Sequence, residues 1–162
     1  MDEEINVGLQ LKSVNMNDAS QNKGANIFES WTKWAPFFLS VLRIAAAFIF
    51  MQSGTMKLFA FPMGIPPNGG TVDMWSQAWW GGILEVWGGA FVLIGLFTRP
   101  VAFLLAGEMA VAYLQFHAPQ NFWPLINGGN SALLYCFVWL YISAAGAGPW
   151  SVDAFLLYRR KR

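Results

Sequence analysis

Four long apolar stretches alternate with polar or glycine- and proline-containing segments along the chain. They cover residues 36–56, 79–97, 101–117 and 131–147. Each approaches the ~20 residues that an α-helix needs to cross a hydrocarbon layer of ~30 Å. The pattern therefore predicts an all-α fold, a membrane-embedded four-helix bundle in one transmembrane domain at residues 31–162.

The segments between the apolar stretches indicate how the helices connect. The second and third stretches are separated only by Thr98-Arg99-Pro100, which predicts an antiparallel hairpin. The aromatic and basic segment after Pro149 predicts a short C-terminal helix at the membrane interface. Residues 1–30, which are mostly polar and rich in Asn, Asp, Ser and Gln, are interpreted as a disordered cytoplasmic tail.

The basic residues are distributed unevenly between the two sides of such a bundle. With four spans, both termini and the Arg99 turn lie on one side, and that side collects Lys12, Lys23, Lys33, Arg99 and the four basic residues at 159–162. At the opposite boundary there is only Lys57. Because basic loops remain in the cytoplasm, this bias predicts that both termini are cytoplasmic, an N-in/C-in topology.

Composition narrows the function classes further. The chain is 56% hydrophobic and 12% charged, with a net charge of +1, which argues against a nucleic-acid partner. The single cysteine, Cys136, excludes an internal disulfide and any cysteine-ligated metal centre built from this chain alone. We interpret Cys136 as a packing residue, and the sequence predicts neither a metal site nor a covalently bound cofactor.

Four ionisable residues lie within or at the ends of the apolar stretches: Arg43, Lys57, Glu85 and Glu108. An ionised side chain at mid-bilayer costs roughly 2.5–3.5 kcal/mol on insertion scales, so each requires a partner or a hydrated cavity. Depth along the helices predicts the pairs Arg43–Glu108 and Lys57–Glu85. The four charges either fix the register of the helices or form a ligand or proton site within the membrane.

Polar residues near the ends of the third and fourth stretches extend this candidate site. Gln115 follows Glu108 along one helix face, and His117 lies at the exit of that helix as an interfacial residue or a proton carrier. Asn127 and Asn130 flank a glycine pair, as turn and helix-cap residues or as ligand contacts. No catalytic residue is assigned.

Several motifs in a characteristic order resemble the DoxX family, and the resemblance covers residues 34–153. The motifs are Gly54-Thr55-Met56-Lys57, Gly81-Gly82-Ile83-Leu84-Glu85, Gly107-Glu108-Met109-Ala110, His117-Ala118-Pro119, Asn127-Gly128-Gly129 and Gly148-Pro149-Trp150-Ser151-Val152-Asp153. The resemblance implies a multi-pass protein of the bacterial inner membrane, related to the membrane subunits of archaeal thiosulfate:quinone oxidoreductase. The resemblance also implies that five positions are functionally important: Arg43, Lys57, Glu85, Glu108 and His117. One departure is Asn130, where many relatives have a glutamate.

Two functions remain in competition. The first is a membrane subunit of a redox system, an oxidoreductase partner that uses quinone and works with a redox partner protein, since the chain has no haem ligand pair, cysteine cluster or dinucleotide fingerprint. The second is a non-enzymatic membrane module, either a small solute or proton pathway or an anchor for another protein. As a transporter, a four-span chain is small unless it forms a homo-oligomer.

Overall fold

The computed structural model describes residues 29–67 and 69–160, and its regular elements there are helices. They are α1 (Ala35–Phe59), α2 (Gln77–Ile94), α3 (Thr98–Ala112), α4 (Asn130–Ala145) and α5 (Val152–Arg160). A π-helical segment, Tyr113–His117, continues α3. The all-α prediction is confirmed for these ranges. Of the predicted disordered tail, residues 1–28 lie outside the described residues, and residues 29 and 30 are helical, so the prediction is wrong at those two positions.

The chain divides into two compact units, Met1–Pro36 and Phe37–Arg162. Within the first unit, residues 29–36 are described, and the Trp34 N–H donates to the Trp31 carbonyl oxygen at 3.0 Å. The second unit contains nearly all of α1 and the whole of α2 to α5. All contacts discussed below lie within this second unit.

Helices α2 and α3 form the antiparallel hairpin that the short Thr98-Arg99-Pro100 turn predicts. Gly95 ends α2 with a φ of 73°, a left-handed conformation that glycine adopts without strain. Phe97 supplies no side-chain cap for α3. Instead, the Asp153 carboxylate accepts the N–H groups of Phe97 and Thr98, each at 2.9 Å. The start of α5 thereby stabilises the N-terminus of α3.

The remaining helices alternate in direction. Arg43 of α1 lies beside Val92 of α2, whereas a Cβ on Gly82 would meet the Lys57 and Leu58 side chains, so α1 and α2 are antiparallel. Similarly, the Arg99 guanidinium at the start of α3 donates to the carbonyl oxygen of Ala144 near the end of α4. All four helices therefore contribute to two ends, which we name the Arg43 end and the Lys57 end.

An aromatic and aliphatic core fills the centre of the bundle. The Phe50 ring of α1 contacts the rings of Tyr135 and Trp139 of α4, with centroids 5.1 and 5.2 Å apart. Val92 of α2 and Leu105 of α3 are fully buried in the same core. Because these side chains are large and closely packed, they form an apolar layer in the middle of the bundle.

Large apolar side chains also cover the outside of the bundle. Each of Phe48, Trp87, Phe103 and Leu134, one from each of α1 to α4, is at least 60% exposed. Charged and polar groups such as Arg43, Glu85 and Ser40 lie buried inside. Soluble proteins rarely expose so much contiguous apolar surface, whereas a protein surrounded by lipid does.

Length and apolar character together single out one helix. Within the described residues, α1 is long and apolar enough to cross a membrane by itself, and α4 is a shorter apolar helix of 16 residues. The α2 helix has 18 residues, and α3 has 15 before the π-helical segment. The apolar stretches of the sequence thus correspond to helices α1 to α4.

Candidate functional site

Arg43 is fully buried at the Arg43 end, and its guanidinium binds backbone rather than a carboxylate. It donates hydrogen bonds to four carbonyl oxygens, those of Val92, Leu93, Ala147 and Trp150. Two of these end α2, where unpaired carbonyl groups carry partial negative charge. The predicted Arg43–Glu108 pair is therefore wrong. Counting depth along the helices missed the C-terminus of α2 as an acceptor for the guanidinium, and it missed Asp153, a carboxylate that interacts electrostatically with Arg43.

The predicted Lys57–Glu85 pair is confirmed at the opposite end. Lys57 Nζ lies 2.8 Å from Glu85 Oε1, and the Ser53 hydroxyl donates to the same oxygen at 3.2 Å. The Glu85 side chain is 2% exposed and the Lys57 side chain 24% exposed. The glutamate thus lies inside the bundle, and the lysine connects it to the surface. Within the described ranges this is the only ion pair.

Glu108 joins this pair from α3. It interacts electrostatically with both Glu85 and Lys57. Its Oε1 lies 3.2 Å from the position that a Cβ on Gly81 would occupy, so the missing side chain of Gly81 makes room for the carboxyl group. Its Oε2 is buried and has no hydrogen-bond partner among the described residues. We name Ser53, Lys57, Glu85 and Glu108 the Lys57 cluster.

A groove of about 930 Å³ opens beside the Lys57 cluster between α2 and α3. Its walls are mainly apolar and include Trp80, Leu84, Phe103, Leu104 and Phe116. Lys57, Gln77, Glu108 and His117 supply its polar groups. Trp80, Phe103 and Leu104 are also exposed on the outer surface, so the groove opens toward the side of the bundle.

The π-helical segment positions His117 and Gln115 differently from a regular helix. His117 lines the groove, and its Nδ1 lies 3.0 Å from the Asn127 carbonyl oxygen. Gln115 does not line the groove, but its side-chain oxygen accepts a hydrogen bond at 2.6 Å from the side-chain amide of Gln77, which does. Short π-helical segments often occur at functional sites because they redirect side chains.

The two asparagines near α4 have local structural contacts. The Asn127 side chain donates to the Asn121 carbonyl oxygen and accepts from the Gly129 N–H, at 2.8 and 2.7 Å. These bonds support its interpretation as a turn residue. Asn130 is exposed at the start of α4. Neither residue lines the groove, so their ligand contact stays a prediction. Cys136 packs against the core of the bundle.

The structure adds functional candidates that sequence reasoning missed. Ser53 contacts Glu85, and it precedes Lys57 by one helical turn, a spacing that signals a shared helix face. Gln77 stands in no motif that marks it as functional. The apolar residues of the groove wall cannot be recognised from the sequence either, because any lipid-facing helix has similar residues. Only the packing of α2 against α3 shows which of these residues enclose a space.

The chain matches the model of the DoxX family over residues 38–118, a range that includes Arg43, Lys57, Glu85, Glu108 and His117. It is also similar to a protein of Haemophilus influenzae that is described as uncharacterized. The two are 40% identical over 126 residues, which cover 75% of this chain and 92% of the relative. No solved structure matches the chain significantly.

Proposed function

The chain belongs to the DoxX family of membrane proteins, and we propose that it is the membrane subunit of a redox system linked to the quinone pool. The groove beside the Lys57 cluster is the observation that carries the proposal. It combines an apolar wall, polar groups at one end and an opening toward the lipid. These features match an amphiphile dissolved in the bilayer, which has an apolar part and a polar head.

The proposed setting is the bacterial inner membrane, with α1 to α4 as four spans and both termini in the cytoplasm. The alternation of helix direction supports this topology, as do the exposed apolar side chains on all four helices. The Arg43 end then faces the cytoplasm together with Arg99, Arg159 and Arg160. Basic residues concentrate at that end, as the positive-inside rule requires.

A quinone fits the residues that line the groove. Ligand pockets of roughly 300–1,000 Å³ with apolar walls and a few polar groups are typical of small-molecule sites. Lys57, Glu108 and His117 would face the polar head, whereas Leu104 and Phe103 would contact the apolar part. A bound quinone would supply two-electron redox chemistry, and this chain would orient its head and exclude water. A redox partner protein is proposed to deliver the electrons.

A proton or solute pathway across the whole membrane has weaker support. The polar side chains of the Lys57 cluster reach the surface only at the Lys57 end. Between this cluster and Arg43 lies the apolar layer that contains Phe50, Val92 and Trp139. A continuous path requires polar groups or hydration through that layer. The arrangement is therefore better suited to a site that opens on one side.

Filling the groove tests the proposal. Leu104→Trp places a large side chain in the groove, whereas Leu134→Trp makes the same change on the exposed surface of α4, away from it. After purification in mild detergent, mass spectrometry measures the quinone that co-elutes per protein. We expect at least a fivefold loss for Leu104→Trp and no change for Leu134→Trp.

Two outcomes would contradict this function. Absence of quinone from the wild-type protein, together with no binding of added decylubiquinone, would remove the quinone site. Proton flux in proteoliposomes that depends on Glu108 would instead support the pathway alternative. Mass spectrometry of co-eluting proteins identifies the proposed redox partner in the same preparation.

A further inference from the structure

The Lys57 cluster contains one more carboxyl group than it has cations. Glu85 and Glu108 both interact electrostatically with Lys57, the single basic side chain of the cluster. Arg43 is about 21 Å away along α1, at about 1.5 Å per residue, and its guanidinium is bound by backbone carbonyls. The charge balance that sequence spacing suggested is therefore absent from this end of the bundle.

Lys57 is already engaged by the more deeply buried acid. Its ammonium group lies 2.8 Å from Glu85 Oε1, which also accepts the Ser53 hydroxyl. Glu85 is 2% exposed, so removing this cation from it would leave a buried carboxylate without compensation. The pair Lys57–Glu85 thus accounts for one negative and one positive charge, and Glu108 remains.

An ionised Glu108 would be unfavourable for three separate reasons. Its Oε2 is buried without a hydrogen-bond partner among the described residues, as is Glu85 Oε2, but Glu108 lacks the close cation that Glu85 has; Glu108 also lies near a second carboxylate, and its surroundings in the groove are mostly apolar. Desolvation and a neighbouring like charge both favour the neutral form of a carboxyl group. A bound proton removes the repulsion from the second carboxylate and the cost of a charge in apolar surroundings, and it leaves an O–H group that still requires an acceptor.

We infer that Glu108 is held as a neutral carboxylic acid and donates a hydrogen bond to an uncharged acceptor oxygen on the head of the amphiphile in the groove. Glu108 lines the groove and Glu85 does not, so the proton is presented to the ligand. The site as a whole then carries no net charge. It selects neutral carbonyl-bearing heads, such as quinones, over anionic or cationic lipids. This choice of ligand rests on the proposed function, whereas the proton on Glu108 does not.

The groups around Glu108 determine how its proton responds to pH. Lys57 faces it from α1 and Glu85 from α2, and His117 at the end of the π-helical segment lines the same groove. The α4 helix contributes Tyr135 and Cys136 at a similar level and contains no Asp, Glu, Lys, Arg or His. Lys57 and Glu85 compensate each other, so raising the pH acts chiefly on Glu108.

Infrared spectroscopy tests the proton directly on the whole protein without quinone. The protein is purified in an ester-free maltoside detergent, and the stretching band of protonated carboxyl groups is identified by its shift in D₂O. At neutral pH we expect this band in the wild type and its loss in Glu108→Gln. Glu85→Gln should also weaken it, because Lys57 then becomes the counter-ion of Glu108. Lys57→Met should roughly double it, because neither acid retains a cation.

Two results would overturn the proton assignment. One is a wild-type protein without the band at neutral pH, which requires no variant to interpret. The other is a band of unchanged intensity in Glu108→Gln. Because glutamine is nearly isosteric with the neutral acid, this variant is expected to fold, and gel filtration checks that it does.

Binding of decylubiquinone tests the hydrogen bond to the ligand. The wild type should lose affinity as the pH rises and Glu108 ionises, whereas Glu108→Gln keeps an N–H donor and should bind with little pH dependence. Glu108→Leu has no donor and should bind about tenfold more weakly at neutral pH, as expected for the loss of ~1.4 kcal/mol. Equal affinity and equal pH dependence in all three proteins would refute the hydrogen bond.

The experiments distinguish failure of the quinone function from failure of the protonated Glu108. If the carboxyl band is present but no quinone binds, the quinone function is wrong and the protonated Glu108 remains established. If quinone binds but the band is absent, or persists in Glu108→Gln, the proposed function remains and this inference is wrong.

Discussion

The two cations of α1 are neutralised in different ways. Arg43 has a planar guanidinium with several donors, and it binds carbonyl oxygens that come from two separate segments of chain. Lys57 has a compact ammonium group that makes one close ion pair with Glu85. The first cation joins backbone segments at the Arg43 end. The second compensates the buried acid beside the groove.

Replacement of Arg43 should therefore be strongly destabilising. Arg43→Met removes the guanidinium from four carbonyl oxygens, of which that of Val92 still accepts the Gly95 N–H, whereas those of Leu93, Ala147 and Trp150 lose this donor. Each buried group left unsatisfied costs about 1–3 kcal/mol, so we expect a loss of at least ~3 kcal/mol. Arg43→Lys should recover only part, because one nitrogen cannot reach all four oxygens. Thermal unfolding in detergent measures the effect.

The matched control is Arg159→Met, which removes an exposed arginine that lies 4.8 Å from the centre of the Phe155 ring. Its cost should stay below about 1 kcal/mol, the range for an exposed cation–π contact. Wild-type stability in Arg43→Lys would show that the planar guanidinium is not required.

Close packing of α1 against α2 positions the Lys57 cluster. Gly54 lies against the Gly82 backbone, one turn before Lys57, and lets the two helices approach at the level of Glu85. Small residues in membrane helices permit such contact because no side chain separates the backbones. The short distance between Lys57 and Glu85 depends on this approach.

A methyl group at Gly54 should separate the two helices. Its Cβ would lie 2.8 Å from the Gly82 carbonyl oxygen and 2.9 Å from Glu85 Cβ, neither of which moves easily. We expect Gly54→Ala to destabilise the protein by about 1–3 kcal/mol, the usual cost of overpacking. Thermal unfolding in detergent measures it, and quinone binding should weaken in parallel.

Gly107→Ala on α3 is the matched control, because a Cβ there has no neighbour within 4 Å. That change should stabilise the helix by up to about 1 kcal/mol. If Gly54→Ala and Gly107→Ala changed the stability by the same amount, close contact with α2 would not be the reason that glycine is required at position 54.

At the scale of the whole molecule, the bundle is asymmetric along its axis. The Arg43 end is held together by backbone hydrogen bonds and by α5, whose start caps α3 through Asp153, and it carries a pocket of about 500 Å³ beside Arg99 and α5. The larger groove, of about 930 Å³, runs along α3 and contains Lys57, Glu108 and His117 toward the Lys57 end. An apolar core separates the two ends. This asymmetry favours a ligand that enters laterally from the lipid and meets its polar groups near one surface.

The proposed topology predicts which end thiol reagents reach. In a Cys136→Ser background, Asp73→Cys places a thiol in the exposed loop at the Lys57 end and Arg160→Cys places one at the end of α5. A membrane-impermeant maleimide should label position 73 in intact spheroplasts and position 160 only after lysis, because opposite ends of the bundle face opposite sides. Labelling of position 160 in intact spheroplasts would reject the N-in/C-in arrangement.

The helices, the α2–α3 hairpin and the places of the charged residues along them were predictable from the amino-acid sequence. The apolar runs have membrane-spanning length, and the turn at Thr98-Arg99-Pro100 has three residues. Both are local patterns, which can be recognised without a structure. The Lys57–Glu85 pair followed from depth, because both residues lie near the same boundary.

The partners of Arg43 and the absence of a cation bound to Glu108 became visible only in the folded chain. The sequence pairs the two residues by their side-chain charges, whereas the hydrogen-bond partners of Arg43 are backbone carbonyls that every residue possesses, and the carboxylate that interacts with it is Asp153, far away along the chain. The groove could not be predicted from the sequence either, because its walls come from two helices and the hydrophobic pattern does not specify how they are rotated relative to each other. The numbers of positive and negative side chains follow from the composition. The partner of each one depends on which helix end or which groove lies beside it in the folded chain.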